Sequence, residues 1–192
     1  MIFVNGLPET ECGGGSTMAA TVHLRARLPG LLKRLKVASI LDAPCGDFNW
    51  MQAINFGAID YTGCDISEKH IERANSKAGG RARVRFHAMD IVTEPLPTAD
   101  LVFCRDFLQH LPNQMAIAAL RNFVATGAKW LLVTSHVSKR NGDIAEPGMF
   151  RPLNLKIPPF EFPKSRAKIA DPPDSRRFMM LWAMESVAEC VA

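Results

Sequence analysis

The chain has 192 residues, enough for one domain with a sizeable core, and its 47% hydrophobic and 22% charged residues are ordinary globular composition. The net charge of +4 equals the excess of nine Lys/Arg over five Asp/Glu between Lys139 and Arg177, where no basic cluster interleaves with aromatics, so a nucleic-acid partner is not favoured. With no charged-then-apolar leader and no apolar run near the ~18 residues that a membrane span needs, the expectation is a cytoplasmic protein with no membrane partner.

Residues 1–11 show no periodicity and read as a poorly ordered start or a remnant of a longer N-terminus. With Gly13-Gly14-Gly15 they form an expected flexible segment, 1–15, ahead of a single domain over 16–192. From Met18 to Lys36, Val22, Leu24, Leu28, Leu31, Leu32 and Leu35 recur at helical spacing, with Pro29 expected to start a second series of turns. Val37–Ala43 reads as the first strand and Phe48–Asn55 as a helix capped by Asp47 or Asn49. Ile59–Cys64 is the second strand with Asp65 at its end, and Ser67 caps a helix reaching about Ser76 before Gly79 and Gly80. Arg83–Met89 alternates as a third strand. Ala99–Cys104 is the fourth, Pro112–Ala125 an amphipathic helix and Lys129–Ser135 a fifth strand with a continuous apolar run. Seven of the thirteen prolines lie between Pro147 and Pro173, so 137–173 reads as a long loop, functional or disordered, before a last strand, Arg176–Met184. The cysteines, Cys12, Cys45, Cys64, Cys104 and Cys190, form no CxxC pair and read as small buried thiols, with no metal site expected.

Strands alternating with helices imply an α/β fold with a mostly parallel sheet and helices on both faces. Right-handed crossovers put the strand carboxyl ends along one edge, where ligands bind at the point at which strand order reverses. Asp42, Asp65, Asp90 and Arg105-Asp106 fall on that edge. The first strand runs into Asp42-Ala43-Pro44-Cys45-Gly46-Asp47, a small-residue loop expected to open a helix whose unpaired N–H groups face a ligand. Only Gly46 is present where a dinucleotide fingerprint needs three glycines, which argues against NAD. Asp65, about 20 residues on, suits ribose hydroxyls; its alternative is a loop acid or helix cap.

This loop resembles the first motif of class I S-adenosylmethionine-dependent methyltransferases, in the Asp-x-Pro-Cys-Gly-Asp form of some bacterial small-molecule enzymes, and the resemblance runs from about Gly13 to Trp182. It implies a Rossmann-like, mostly parallel seven-stranded sheet with an antiparallel last strand. It implies S-adenosylmethionine as cofactor and S-adenosylhomocysteine as product. The implied cofactor residues are Asp42, Ala43, Pro44, Cys45, Gly46, Asp65 on the ribose, Ile66 and Ile91 against the adenine, Asp90 on its amino group, and Cys104 and Arg105. The Gly15–Thr17 stretch is implied to fold over the cofactor as a lid.

Cys104-Arg105-Asp106-Phe107-Leu108-Gln109-His110 then faces donor and acceptor, which makes Arg105, Asp106 and His110 the candidate catalytic residues. An unperturbed imidazole titrates near ~6.5, so His110 is the candidate base, or else a helix-end histidine bonded to backbone. Asp106 orients it or binds the acceptor, and Arg105 has an internal ion pair as its alternative. His136, Arg151 and Asn154, the last two in Arg151-Pro152-Leu153-Asn154-Leu155, are candidate acceptor-binding residues. Arg151 either clamps an acidic group or ties the loop to a domain carboxylate. The expected activity is methyl transfer to a small molecule or soluble precursor at oxygen or nitrogen, by a monomer or homodimer. The alternatives are an RNA or protein methyltransferase, or a silent cofactor-binding module.

Overall fold

In the computed structural model, which describes residues 3–4, 7–171 and 176–192, the sheet carries the whole architecture. Two short strands, β1 (Phe3–Val4) and β2 (Leu7–Pro8), pair with each other apart from it. The main sheet holds β3 (Ser39–Asp42), β4 (Asp60–Asp65), β5 (Val84–Ala88), β6 (Leu101–Cys104), β7 (Trp130–His136), β8 (Ala167–Ala170) and β9 (Arg177–Ala183). Their spatial order is β5-β4-β3-β6-β7-β9-β8. The first five are parallel, and β9 runs antiparallel to both β7 and β8. Strand order reverses between β3 and β6. The helices are α1 (Val22–Leu35), α2 (Glu68–Ala78), α3 (Asn113–Ala125) and α4 (Met184–Val191). No helix among the described residues is long and apolar enough to cross a membrane.

The period-two side-chain alternation of strands splits the core into two layers. Ile40, Tyr61, Leu101, Phe103, Leu132, Met179 and Leu181 face α1 and α2, with Leu24, Leu28, Leu31 and Leu32 of α1 packed on them. Leu41, Cys64, Val102, Cys104, Leu131, Val133, Met180 and Trp182 face α3 and α4. The central strands are apolar on both faces because both are covered.

Several elements depart from the sequence reading. Pro29 lies inside α1 instead of starting a new turn series. Burial of Leu28, Leu31 and Leu32 on the sheet holds the helix together across it. The helix expected over Phe48–Asn55 is a set of turns with one 3-10 turn at Met51–Ala53. Asp47 accepts the N–H of Asn49 at 3.2 Å, and Phe48 adopts φ 57°. In that left-handed state the Phe48 ring packs 5.1 Å from Tyr61 and 5.0 Å from Phe86. Aromatic burial therefore outweighs helix propagation over these few residues.

The 137–173 segment is not all loop. Its residues 172–173 lie outside the described residues, but Ala167–Ala170 forms the edge strand β8, and Leu153, Leu155, Phe160 and Phe162 are buried against the α3 and α4 side. The segment 9–12 is anchored, not flexible. Thr10 donates its hydroxyl to Asp47 at 3.0 Å, Asn49 donates to Glu9 at 2.8 Å, and Glu11 pairs with Lys69 and Arg73 at 2.9 and 2.7 Å.

Candidate functional site

A cavity of ≈ 150 Å³ opens at the β3/β6 reversal, lined among others by Asp42, Pro44, Cys45, Gly46, Asp65 and Asp106. The loop after β3 builds its floor. Gly46 has φ 55°, and a Cβ there would meet Cys12 Sγ at 2.6 Å, so only glycine fits. Gly63 on β4 is equally constrained, since a Cβ would meet Phe86 Cδ1 at 2.6 Å and Cys45 at 2.9 Å. The loop thus lies directly on the neighbouring strand.

Asp65 ends β4 and is nearly fully buried. One of its oxygens accepts the Gly46 N–H at 3.0 Å; the other accepts the Ser67 N–H at 2.9 Å and faces His70 Nδ1 at 3.3 Å. A carboxylate has about four lone-pair sites, so about one remains for a ligand hydroxyl. A second hydroxyl would displace His70, the longest of the three contacts. Ser67 also caps α2, as expected.

Asp42 is buried and accepts the Tyr61 hydroxyl. Burial pushes its carboxyl up to about 8, Asp65 adds to that shift, and the Tyr61 hydrogen bond and Arg105 oppose it. An unfolded Asp titrates near ~3.9, so between about pH 4 and 8 the folded chain holds a proton that the unfolded chain has lost. Stability from this group therefore falls as pH rises through that window and levels off above it. Melting temperature measured against pH should show that decline, and Asp42→Asn should flatten it.

Arg105 follows β6 and is also buried. It donates two bonds to Asp171, both at 3.0 Å, and one to the Gly15 carbonyl at 3.0 Å, with Asp106 at 3.5 Å. Its guanidinium lies 5.7 Å from the Trp50 ring. Arg177 completes the cluster, reaching Asp106 at 3.1 and 3.2 Å and Asp171 at 3.1 Å. The internal ion pair is thus the role that these contacts give Arg105. Asp171 and Arg177 escaped sequence reasoning because their partners lie 66 and 71 residues away. No local pattern marks such a pairing.

Asp106 lines the cavity but does not share a helical face with His110. It has φ 52° and precedes the 3-10 turn Leu108–His110, accepting from Gln109 and Arg177. His110 Nδ1 instead faces the Met149 carbonyl at 3.1 Å. Ala43 and Cys104 are buried in the core. Ile91 also packs into the core, at 3% exposure, so it is not an apolar wall of this cavity, whereas Ile66 is 71% exposed. Asp90 accepts from Val92 N–H and Thr93 hydroxyl as a turn-forming acid. Neither Ile66 nor Asp90 lines the cavity. Cys12, Ser16, Asn49, Trp50, His70 and Phe103 do, and the sequence reading named none of them as lining residues. Of these, Ser16 falls in the stretch read as a lid, the one sequence signal among them.

A second cavity, ≈ 800 Å³, is lined by His136, Val137, Ser138, Lys139, Phe150, Pro152 and Arg176. The Phe150 ring stands 5.7 Å from the His110 ring and 5.9 Å from the His136 ring. His136 pairs with Arg177 across the β7/β9 ladder, and Arg177 holds Asp106, so one residue joins the walls of the two cavities. Arg151 and Asn154 line neither. Arg151 donates to Asn113 at 2.8 Å and pairs with Asp143 at 3.5 Å, the loop-tying alternative. Asn154 bonds the Ser138 carbonyl and the Asn141 side chain within the same loop.

The strand order, the antiparallel β9 and the acid-lined cavity at the reversal can be set against known proteins. Residues 40–127 match the family described as methyltransferase domain. Over that stretch the chain is similar to methyltransferase domains. The solved structures of similar fold include magnesium protoporphyrin IX methyltransferase from Synechocystis PCC 6803 with bound SAM (17% identity, 83% of this chain, 78% of that chain, TM-score 0.60). The S-adenosylmethionine-dependent methyltransferase SibL gives 19% identity over 86% of this chain and 55% of that one, with a TM-score of 0.64. Among curated proteins, 27-O-demethylrifamycin SV methyltransferase of Amycolatopsis mediterranei is 37% identical over 103 residues, which is 50% of this chain. The chain spans 37% of that relative's length. The fold is Rossmann-like, with a mostly parallel seven-stranded sheet and an antiparallel β9, as the sequence implied.

Proposed function

We propose that the chain is an S-adenosylmethionine-dependent methyltransferase acting at oxygen or nitrogen of a small, soluble acceptor, in the cytoplasm, as a monomer or homodimer. The observation that carries this reading is the convergence of Asp42, Gly46, Asp65 and Asp106 on one cavity at the strand-order reversal. The donor set fits the cofactor. Asp65 retains about one acceptor site for a ribose hydroxyl, and the Asp65 and Asp106 carboxylates attract a cation. When bound, S-adenosylmethionine supplies an electrophilic methyl group on a sulfonium centre, with S-adenosylhomocysteine as product. Ala43, Pro44, Cys45 and Gly46 supply the loop backbone beside it, and Cys104 the strand end beneath. Ile66 and Asp90 are assigned to the adenine side, outside the cavity. Ser16 and the Arg105–Gly15 bond hold the N-terminal segment over the site as a lid.

His110 is assigned as the base. A carbonyl can only accept, so the Met149 contact assigns the hydrogen to Nδ1 and leaves Nε2 with its lone pair. His136 Nδ1 instead accepts the Leu153 N–H at 3.3 Å.

Calorimetry with S-adenosylhomocysteine and with NAD tests the reading. S-adenosylhomocysteine should bind in the micromolar range and NAD should not, because the glycines of a pyrophosphate cradle are missing. Asp65→Ala should weaken S-adenosylhomocysteine by about 1–3 kcal/mol with the fold retained, the range for a charge-assisted hydrogen bond. Tighter binding of NAD would overturn the proposal.

A further inference from the structure

Charge is spread unevenly over the chain. Residues 12–41 and 162–170 hold eight of the 23 Lys/Arg and none of the 19 Asp/Glu, which leaves 15 Lys/Arg against those 19 acids elsewhere. The structure brings the two stretches together. The first contains α1 and the second runs into β8, and α1 packs on β8, with Leu24, Leu28 and Ile169 in one core layer. Seven of the eight cations are exposed: Arg27, Lys33, Arg34 and Lys36 from the first stretch, Lys164, Arg166 and Lys168 from the second. None of the seven makes an ion pair among the described residues. Solvated surfaces intersperse both signs, so a surface of one sign attracts an acidic partner.

Strand β8 says what form that partner takes. It ends the sheet and pairs on one side with β9, and no other strand among the described residues pairs with its second side. An open edge presents unpaired N–H and C=O groups, the template on which an extended peptide adds as a further strand. Side chains of β8 alternate between the two faces of the sheet. Ile169 points to the α1 layer, so Lys168 points to the other, where its Nζ lies 4.7 Å from the Phe178 ring centroid. On that same side Lys164 and Arg166 border a cavity of ≈ 340 Å³ with Trp182 and with Ser186 of α4. The edge is thus flanked by the α1 cations on one face and by Lys164, Arg166 and Lys168 on the other. A strand laid along it turns successive side chains to alternate faces and meets positive charge on both.

We infer that β8 and α1 form a docking surface for an extended acidic segment of a partner protein, added to the open edge of the sheet with its carboxylates between the two sets of cations. Two observations select this occupant. A second copy of the chain would set Arg166 and Lys168 against themselves, the like-charge device by which edge strands avoid pairing with each other. A nucleic acid would gain phosphate contacts without base stacking: Phe150 is the one aromatic among the exposed large hydrophobic residues described, and it stands elsewhere, beside His110 and His136. None of the seven cations lines the first cavity, so the inference stands apart from the methyltransferase reading.

The test uses the full chain and fluorescence anisotropy with three labelled probes: a short peptide of glutamates with two valines, the same peptide with glutamine for glutamate, and a single-stranded oligothymidylate of equal charge. The glutamate peptide should bind saturably at low salt, about tenfold or more tighter than the glutamine peptide. It should weaken as the screening length falls from ~30 Å at 0.01 M salt to ~8 Å at 0.15 M. The variants Lys164→Glu/Lys168→Glu and Arg27→Glu/Arg34→Glu should each weaken it by about tenfold or more. Melting temperature reports that each variant is folded, and glutamine at the same positions, with a severalfold loss expected, replaces glutamate in any that is not. Hydrogen exchange at the amides of 167–170 should slow with the peptide bound. Absence of saturable binding, equal binding of the two peptides, tighter binding of the oligothymidylate, self-association through this edge in place of peptide binding, full affinity in either double variant, or unchanged exchange at 167–170 would each overturn the inference.

Discussion

Replacing Arg105 by methionine should destabilise the protein by about 3 kcal/mol, at the lower end of the roughly 3–5 kcal/mol expected when one partner of a buried ion pair is removed. Asp171 is fully buried, and burial already raises its carboxyl pKa despite Arg105 and Arg177 beside it. Without Arg105 it still has Arg177, at 3.1 Å, which is why the lower end applies. The loss should appear as a lower denaturant midpoint at unchanged slope. The same substitution frees the Gly15 carbonyl, so S-adenosylhomocysteine affinity should fall as the segment over the cavity loosens. An unchanged midpoint would mean that the Arg105–Asp171–Arg177–Asp106 cluster does not hold the end of the sheet together.

The largest effect on chemistry is expected at His110. A positioned general base contributes about 10²–10⁴-fold, so His110→Ala should lower turnover by that order. Cofactor affinity and melting temperature should barely change, because His110 lies outside the first cavity and its ring contacts Met149 and Phe150. Retained turnover would remove His110 from the mechanism and leave alignment of acceptor and methyl group in a water-poor site as the source of the rate. A fall in melting temperature with little change in turnover would make it a loop anchor, bonded to Met149 and, through its own carbonyl, to Gly148.

The sequence by itself determined the scaffold. Hydrophobic periodicity is a local property, so the five parallel strands, α2 with its Ser67 cap and α3 all emerged within a few residues of their observed bounds. The handedness of crossovers then placed Asp42, Asp65 and Asp106 on one edge without any knowledge of contacts. Tertiary structure decided what local pattern cannot encode. Pro29 sits inside α1 because the sheet holds its apolar face, and Phe48–Asn55 is not a helix because Phe48 is worth more between Tyr61 and Phe86. Strand β8, in a proline-rich stretch, exists because β9 offers it an edge to pair with. The site follows the same division. Asp42 and Gly46 sit in one short motif, Asp65 ends the next strand, and all three were legible from local pattern. Arg177, Asp171 and Phe150 were not, since their roles come from partners tens of residues away. Arg105 and His110 were named from their position after the fourth strand, but their contacts with Asp171 and with the Met149 carbonyl exist only once the chain has closed on itself.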